Sequence, residues 1–232
     1  MRKAAQEKLY SFFDKFQPLS FKKGDLIIGP NEKISSIFLL KKGLVKQYYI
    51  SKEGEELTLH IFKPMSYFPM MLALSGKSNK YYFEASSKVS VIKCPTGEIM
   101  TFVLENTDVL FDLTGRFAKG ILGLSERIED LTSGNIHYKI CSLLIYLARR
   151  MGKKSKSGIM IGLRMGHRDI ASWVGTTRET ASRQLEQLAK RKLIRYGSGK
   201  FTILDFDALL KEVENSGKRG EGSHFSSSLN GS

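Results

Sequence analysis

Along residues 18–104 the apolar positions come in short bursts, each closed by a turn signal. Residues 25–28 follow Lys23-Gly24, residues 34–40 run to Lys42-Gly43, and residues 44–50 run to Glu53-Gly54. Residues 57–62 alternate apolar with polar and stop at Pro64, and residues 81–85 and 89–92 complete the set. Bursts rich in β-branched and aromatic residues, spaced by about 8–12 positions, predict strands of a sandwich or barrel. The period then changes. Leu110, Leu113, Phe117, Ile121, Leu124, Ile128 and Leu131 step by three and four, a heptad-like stripe on one long helix. A stripe this narrow packs on its own domain or on the same helix of a second chain. Its length favours the second, so these seven residues are the expected dimerisation surface. Ser133-Gly134-Asn135 breaks the pattern, and residues 136–151 predict another helix with Ile140, Leu143, Leu144, Leu147 and Ala148 inward. Residues 153–158 are expected to form a polar loop.

Residues 164–200 predict two short helices joined by a turn. Ile170, Ala171 and Val174 give the first its core face, and Gly175 supplies the positive φ that the turn needs. Thr176 and Glu179 have the spacing of a capping box at the start of the second. At about 100° per residue, Ala181, Leu185 and Leu188 gather on one side of that helix. Arg178, Glu179, Ser182 and Arg183 gather on another. The first side docks on the domain, and the second fits a major groove, where Arg pairs with guanine O6 and N7 and Glu accepts from cytosine N4. Glu179 and Arg183 also have the spacing of a surface ion pair. Two strand-like runs around Gly197-Ser198-Gly199 follow, a wing beside a helix-turn-helix, with Lys200 at its tip suited to a phosphate.

Charge sharpens this picture. The 232 residues carry 37 Lys+Arg against 23 Asp+Glu, a net of +14. Residues 164–200 alone hold nine basic and three acidic side chains, the density of a nucleic-acid face or of a solvated surface. The two cysteines, Cys94 and Cys141, make neither a disulfide framework nor a CxxC metal pair, which suits a reducing cytoplasm. No apolar run is long enough to span a membrane. The last 18 residues, rich in Gly and Ser, are expected to form a flexible tail.

The order of β-roll, long amphipathic helix, break, helix and winged helix-turn-helix resembles the cyclic-AMP receptor protein/FNR (CRP/FNR) family of transcription regulators. The resemblance covers about residues 10–210 and is most specific over residues 169–183, where Gly175, Arg178-Glu179 and Arg183 match the family's turn and base-reading residues. Gly43 and Gly54 match turns of the roll, residues 106–110 look like the start of the dimer helix, and Asn135 falls at the interdomain hinge. The expected fold is α+β. A cyclic-nucleotide-binding-like roll spans 1–106, a dimerisation helix 107–134, a winged helix-turn-helix 135–214 and the tail 215–232. The resemblance implies a cytoplasmic homodimeric regulator of a palindromic operator in double-stranded DNA. Arg178, Glu179 and Arg183 would read a GTGA-related half-site, Ser182 would share that face, and Thr177 and His167 would hold phosphates. RNA polymerase is the further partner it implies.

The sensor departs from the family's cyclic-nucleotide pattern. Members that bind cyclic nucleotides carry Gly-Glu-Leu and then Arg-Ser or Arg-Thr. Here Phe68-Pro69-Met70-Met71-Leu72 and Asn79-Lys80-Tyr81 supply neither the acid nor the Arg. The roll is then either packed without a ligand or opens a pocket for an apolar effector. Such a pocket would be lined by Phe68, Met70, Met71, Tyr81 and Tyr82 with Leu124 and Ser125 of the long helix. Two cysteines are too few for the family's four-cysteine iron–sulfur sensor. No cofactor, metal or catalytic residue is expected. The competing readings are a cupin-like metalloenzyme, for which the roll offers only His60 as a His ligand, and a basic architectural protein that binds any duplex.

Overall fold

The computed structural model describes residues 2–132 and 134–217. The chain divides into two compact units, 1–124 and 125–232. In the first, α1 (Arg2–Phe13) precedes eight strands: β1 (Pro18–Phe21), β2 (Leu26–Ile28), β3 (Ser36–Lys42), β4 (Val45–Ile50), β5 (Glu56–Phe62), β6 (Tyr67–Phe68), β7 (Tyr82–Ala85) and β8 (Val89–Pro95). Helix α2 (Met70–Ser75) interrupts them, and α3 (Thr96–Glu105) and α4 (Thr107–Thr132) follow. The strands make two antiparallel sheets, β1-β8-β3-β6 and β2-β7-β4-β5.

Strand β3 shows why the roll forms. Its run Ile37-Phe38-Leu39-Leu40 is buried on both faces. Alternation sends Phe38 and Leu40 into a cluster with Val45, Phe68, Phe83 and Ala85 between the two sheets. The same alternation sends Ile37 and Leu39 into a second cluster with Leu9, Phe13, Ile99, Val103 and Leu113, under the helices. Gly43 turns β3 into β4 at φ 89°, and a Cβ there would lie 2.3 Å from the Lys88 carbonyl oxygen.

Expectations for this unit need correction. Residues 18–104 are not strands and turns alone, because α2 and α3 interrupt them. Leu113, assigned above to dimerisation, is 4% exposed and belongs to the roll's own helix-side core. Phe117 packs against the same core. The first turns of α4 are thus used by their own unit.

The second unit takes in the end of α4, then α5 (Ile136–Met151), β9 (Gly152–Ser155), β10 (Gly158–Ile161), α6 (His167–Val174), α7 (Arg178–Lys190), β11 (Ile194–Gly197), β12 (Lys200–Ile203) and α8 (Phe206–Gly217). Helix α5 is its centre, buried on most sides and packed against α6, α7, α8 and β10. Asn135 caps it by accepting from the Tyr138 amide at 3.0 Å. Its neighbour Gly134 has φ 69°, and a Cβ there would strike the Tyr138 ring. The polar loop expected over 153–158 is instead a hairpin, β9–β10, at the edge of the sheet β11-β12-β10-β9. Residues 215–217, assigned above to the tail, belong to α8, and the tail beyond them lies outside the described residues. No helix among the described residues is long and apolar enough to cross a membrane.

Candidate nucleic-acid interface

Helices α6 and α7 meet through a short glycine turn. The Asp169 carboxylate accepts from the Gly166 amide at 2.7 Å and starts α6. Gly175 ends it at φ 66°. Ile170, Ala171, Trp173 and Val174 fill the core beneath, together with Ala181, Leu185 and Leu188 of α7. The cap of α7 is Thr177, whose hydroxyl accepts from the Thr180 amide at 3.2 Å. The expected Thr176–Glu179 box does not form, because the helix begins one residue later. The Thr177 hydroxyl is thus committed to the helix, while the Arg178 and Glu179 amides, in the first turn, have no intrahelical acceptor and suit a phosphate.

On the other side of α7, Arg178, Glu179 and Arg183 are exposed. Among the described residues none of the three side chains enters a hydrogen bond or ion pair, so the surface pair Glu179–Arg183 does not form. Three charged groups with open donors and acceptors stand on one face of a helix whose opposite face is fully packed. Ser182 differs from them. Its Oγ lies 2.9 Å from His167 Nδ1 and donates to Glu186 Oε1 at 3.4 Å.

His167 is held from a second side. Its ring meets Tyr196 edge-on at 4.9 Å, and Tyr196 stacks on Phe201 at 5.7 Å. Ser198 and Gly199, at φ 50° and 72°, close the wing as a two-residue turn with both φ positive. The Gly199 carbonyl accepts from the Met165 amide at 2.8 Å. A cavity of about 300 Å³ lies between the start of α6 and the wing, lined by His167, Tyr196, Ser198 and Lys200. Ser182, His167 and Lys200 are therefore brought to one side of the unit by α7, α6 and the wing. Sequence reasoning missed Tyr196, since only the pairing of β11 with β12 places it over His167.

Two further contacts tie neighbouring elements to this assembly. Arg127, near the end of α4, lies 4.0 Å over the Trp173 ring and donates to the Trp173 carbonyl at 3.0 Å. Burial pushes its pKa down to about 10, so it keeps its charge at neutral pH. At the other end of α7, Arg191 grips Glu212 of α8 through two nitrogens at 2.7 and 2.6 Å. His137 of α5 lies 3.0 Å from the same carboxylate and 3.1 Å from Gln184 Oε1 of α7. Hydrogen bonds from Arg191, then His137, hold the Glu212 carboxyl at about 2, against the opposing cost of burial.

The residues expected to line an effector pocket have different surroundings. Phe68 is fully buried among Phe38, Phe62 and Phe83, and Met70 sits in the helix-side core. Met71 is exposed, and Tyr82 stacks on Tyr48 at 4.9 Å. Tyr81 packs against the inter-sheet core. Leu124 is exposed on α4, and Ser125 is the first residue of the second unit. Asn79, near the expected Arg, is 1% exposed, and its side chain bonds the backbone of Gly29 and Tyr81. Lys80 stands 5.6 Å over the Tyr49 and Tyr81 rings. This segment staples the roll and offers no carboxylate–guanidinium pair to a cyclic nucleotide. Burial raises the Cys94 thiol to about 11 and the Cys141 thiol to about 12, so neither is a nucleophile at neutral pH. Among the described residues no group of three or more His, Cys, Asp or Glu could hold a metal ion.

Two family models match the chain. The cyclic nucleotide-binding domain matches residues 18–106, and the Crp-like helix-turn-helix domain matches residues 138–212. The global nitrogen regulator of Nostoc sp. (strain PCC 7120) is 28% identical over 186 residues, covering 79% of this chain and 83% of that protein. The transcriptional regulator SdrP of Thermus thermophilus is 29% identical over 209 residues, covering 87% of this chain and 96% of that one. The crystal structure of a CRP/FNR-family transcriptional regulator, also from Thermus thermophilus, superposes with a TM-score of 0.71 at 26% identity, over 87% of this chain and 100% of that one.

Proposed function

The chain belongs to the CRP/FNR family of DNA-binding transcription regulators, and from that premise we propose that it works as a homodimer whose two α7 helices read the halves of a palindromic operator. One observation carries the reading: Arg178, Glu179 and Arg183 stand unpaired on the exposed face of a helix whose other face is buried. Arg178 and Arg183 are the guanine readers and Glu179 the cytosine reader. Ser182 and His167 form a linked pair beside them, and Lys200 meets the backbone from the wing. Pairing runs through α4, where Leu110, Ile121, Leu124 and Ile128 remain exposed. Successive major grooves lie about 34–36 Å apart, so the α4 pair sets the spacing of the two α7 helices. Arg127 supports that coupling, because it bonds the end of α4 to the last turn of α6.

We infer an effector other than a cyclic nucleotide, since the charged pair such a ligand needs is replaced by a structural Asn79 and apolar side chains. The regulator acts in the cytoplasm, with RNA polymerase as its further partner. A titration at fixed salt tests the reading. The preferred duplex should bind at least about 10³-fold more tightly than random duplex, with two chains on each duplex. Equal affinity for both would make the protein an architectural one.

A further inference from the structure

We infer that the hairpin β9–β10 is a second phosphate-binding element, one that holds duplex DNA flanking the operator half-site. The inference rests on the reading of α7 as the base-reading helix. From Arg149 to Arg168 the chain carries no carboxylate. Within that stretch Lys153, Lys154 and Lys156 are exposed, and among the described residues none of their ammonium groups enters an ion pair or side-chain hydrogen bond. Base reading does not use them.

The hairpin is tightly braced by its neighbours. Gly158, at φ 128°, packs so closely on β12 that a Cβ would lie 2.0 Å from the Ile203 carbonyl oxygen. Ser155 Oγ donates to the Gly158 carbonyl at 2.9 Å inside the turn. The hairpin also shares a sheet with the wing, in the order β11-β12-β10-β9. From β11, Arg195 donates to Ser157 Oγ at 2.7 Å, tying the wing strand to the hairpin turn. Three strand spacings put β9 about 14 Å from β11. A duplex carries about eight phosphate charges over that length of axis, about four of them on each strand. The sheet therefore has the span to extend the wing's phosphate contact outward on one backbone. Lysine on an edge strand also blocks strand addition by another chain, a role that gives no dependence on DNA length.

Binding is measured by fluorescence anisotropy over a salt series. One duplex carries the preferred sequence on about 20 base pairs, two helical turns, and a second adds about 10 at each end. The wild-type chain should bind the longer duplex several-fold more tightly, with a steeper salt slope. The variant K153Q/K154Q/K156Q should keep the wild-type affinity and sequence preference on the short duplex. On the long one its slope should flatten by about one per lost contact. The variant K153R/K154R/K156R should restore the long-duplex gain, and an unchanged melting temperature shows that both variants fold. Equal wild-type affinity for the two lengths, or a Gln variant indistinguishable from wild type on the long duplex, overturns the inference and leaves the lysines to edge protection or to an acidic protein. Loss of short-duplex affinity in the folded Gln variant also overturns it, by placing the hairpin in the half-site itself. Failure of the wild-type chain to prefer its selected sequence on either length would instead overturn the base-reading assignment.

Discussion

Arg178 and Arg183 reach solvent with no carboxylate to neutralise them, so in the proposed complex only a base would offset their desolvation. Replacing Arg178 by Ala should weaken specific binding by about 1–3 kcal/mol and relax one base position, with non-specific binding changed far less. Titration against a panel of single-base operator variants reads both effects. Glu212 carries a different prediction. Its carboxyl is held at about 2 against an ordinary 4.5. A depressed carboxylate adds stability above the unfolded value and loses it as pH falls through the folded one. Glu212→Gln should therefore melt at a lower temperature than wild type at neutral pH, and the gap should close between about 4.5 and about 2. A gap independent of pH would mean that the Arg191–Glu212–His137 contacts act through shape alone. At this scale the sequence was only partly readable. The Arg178–Arg183 face follows from helical spacing, but the bonding of Ser182 to His167 does not, because fifteen positions and a turn separate them.

Helix α4 shows how one element divides its apolar stripe. Leu113 and Phe117 pack on their own roll, whereas Ile121, Leu124 and Ile128 are 54%, 44% and 62% exposed. Phe111 and Leu122, off the stripe, are 74% and 64% exposed. Exposed apolar area along one helix is what the proposed dimer would bury. The double variant I121D/I128D should give a monomer in sedimentation at concentrations where the wild-type chain is a dimer, with its far-UV dichroism unchanged. A variant that still sediments as a dimer would move the interface elsewhere. The boundaries of α5 were legible because Ser133-Gly134-Asn135 breaks the pattern before it and apolar spacing fills the rest. The β9–β10 hairpin was not legible. Exposed lysines leave β9 without alternation, and its strand character comes from pairing with β10, which β12 holds in turn. Helix α1 was missed for a related reason: Phe12 stacks on Phe102 at 4.1 Å, a contact that no local pattern announces.

For the whole molecule, the excess of +14 has a specific arrangement. Part of it lies on α7 and the wing, and part on the β9–β10 hairpin of the same unit. The roll, in contrast, keeps the family's fold while Phe68 and Met70, two of the positions expected to line a pocket, lie in its cores. Fold was legible in the order of elements; the signal is not, because packing and binding draw on the same apolar residues. The central claim, that two α7 helices read two half-sites, is tested most directly by selecting bound sequences from a pool of random duplexes, with wild-type chain and with Arg178→Ala. The account predicts an inverted repeat with half-site centres about 10 base pairs apart, and loss of preference at one position of each half in the variant. A pool without an enriched repeat, or a repeat that the variant selects unchanged, would contradict it.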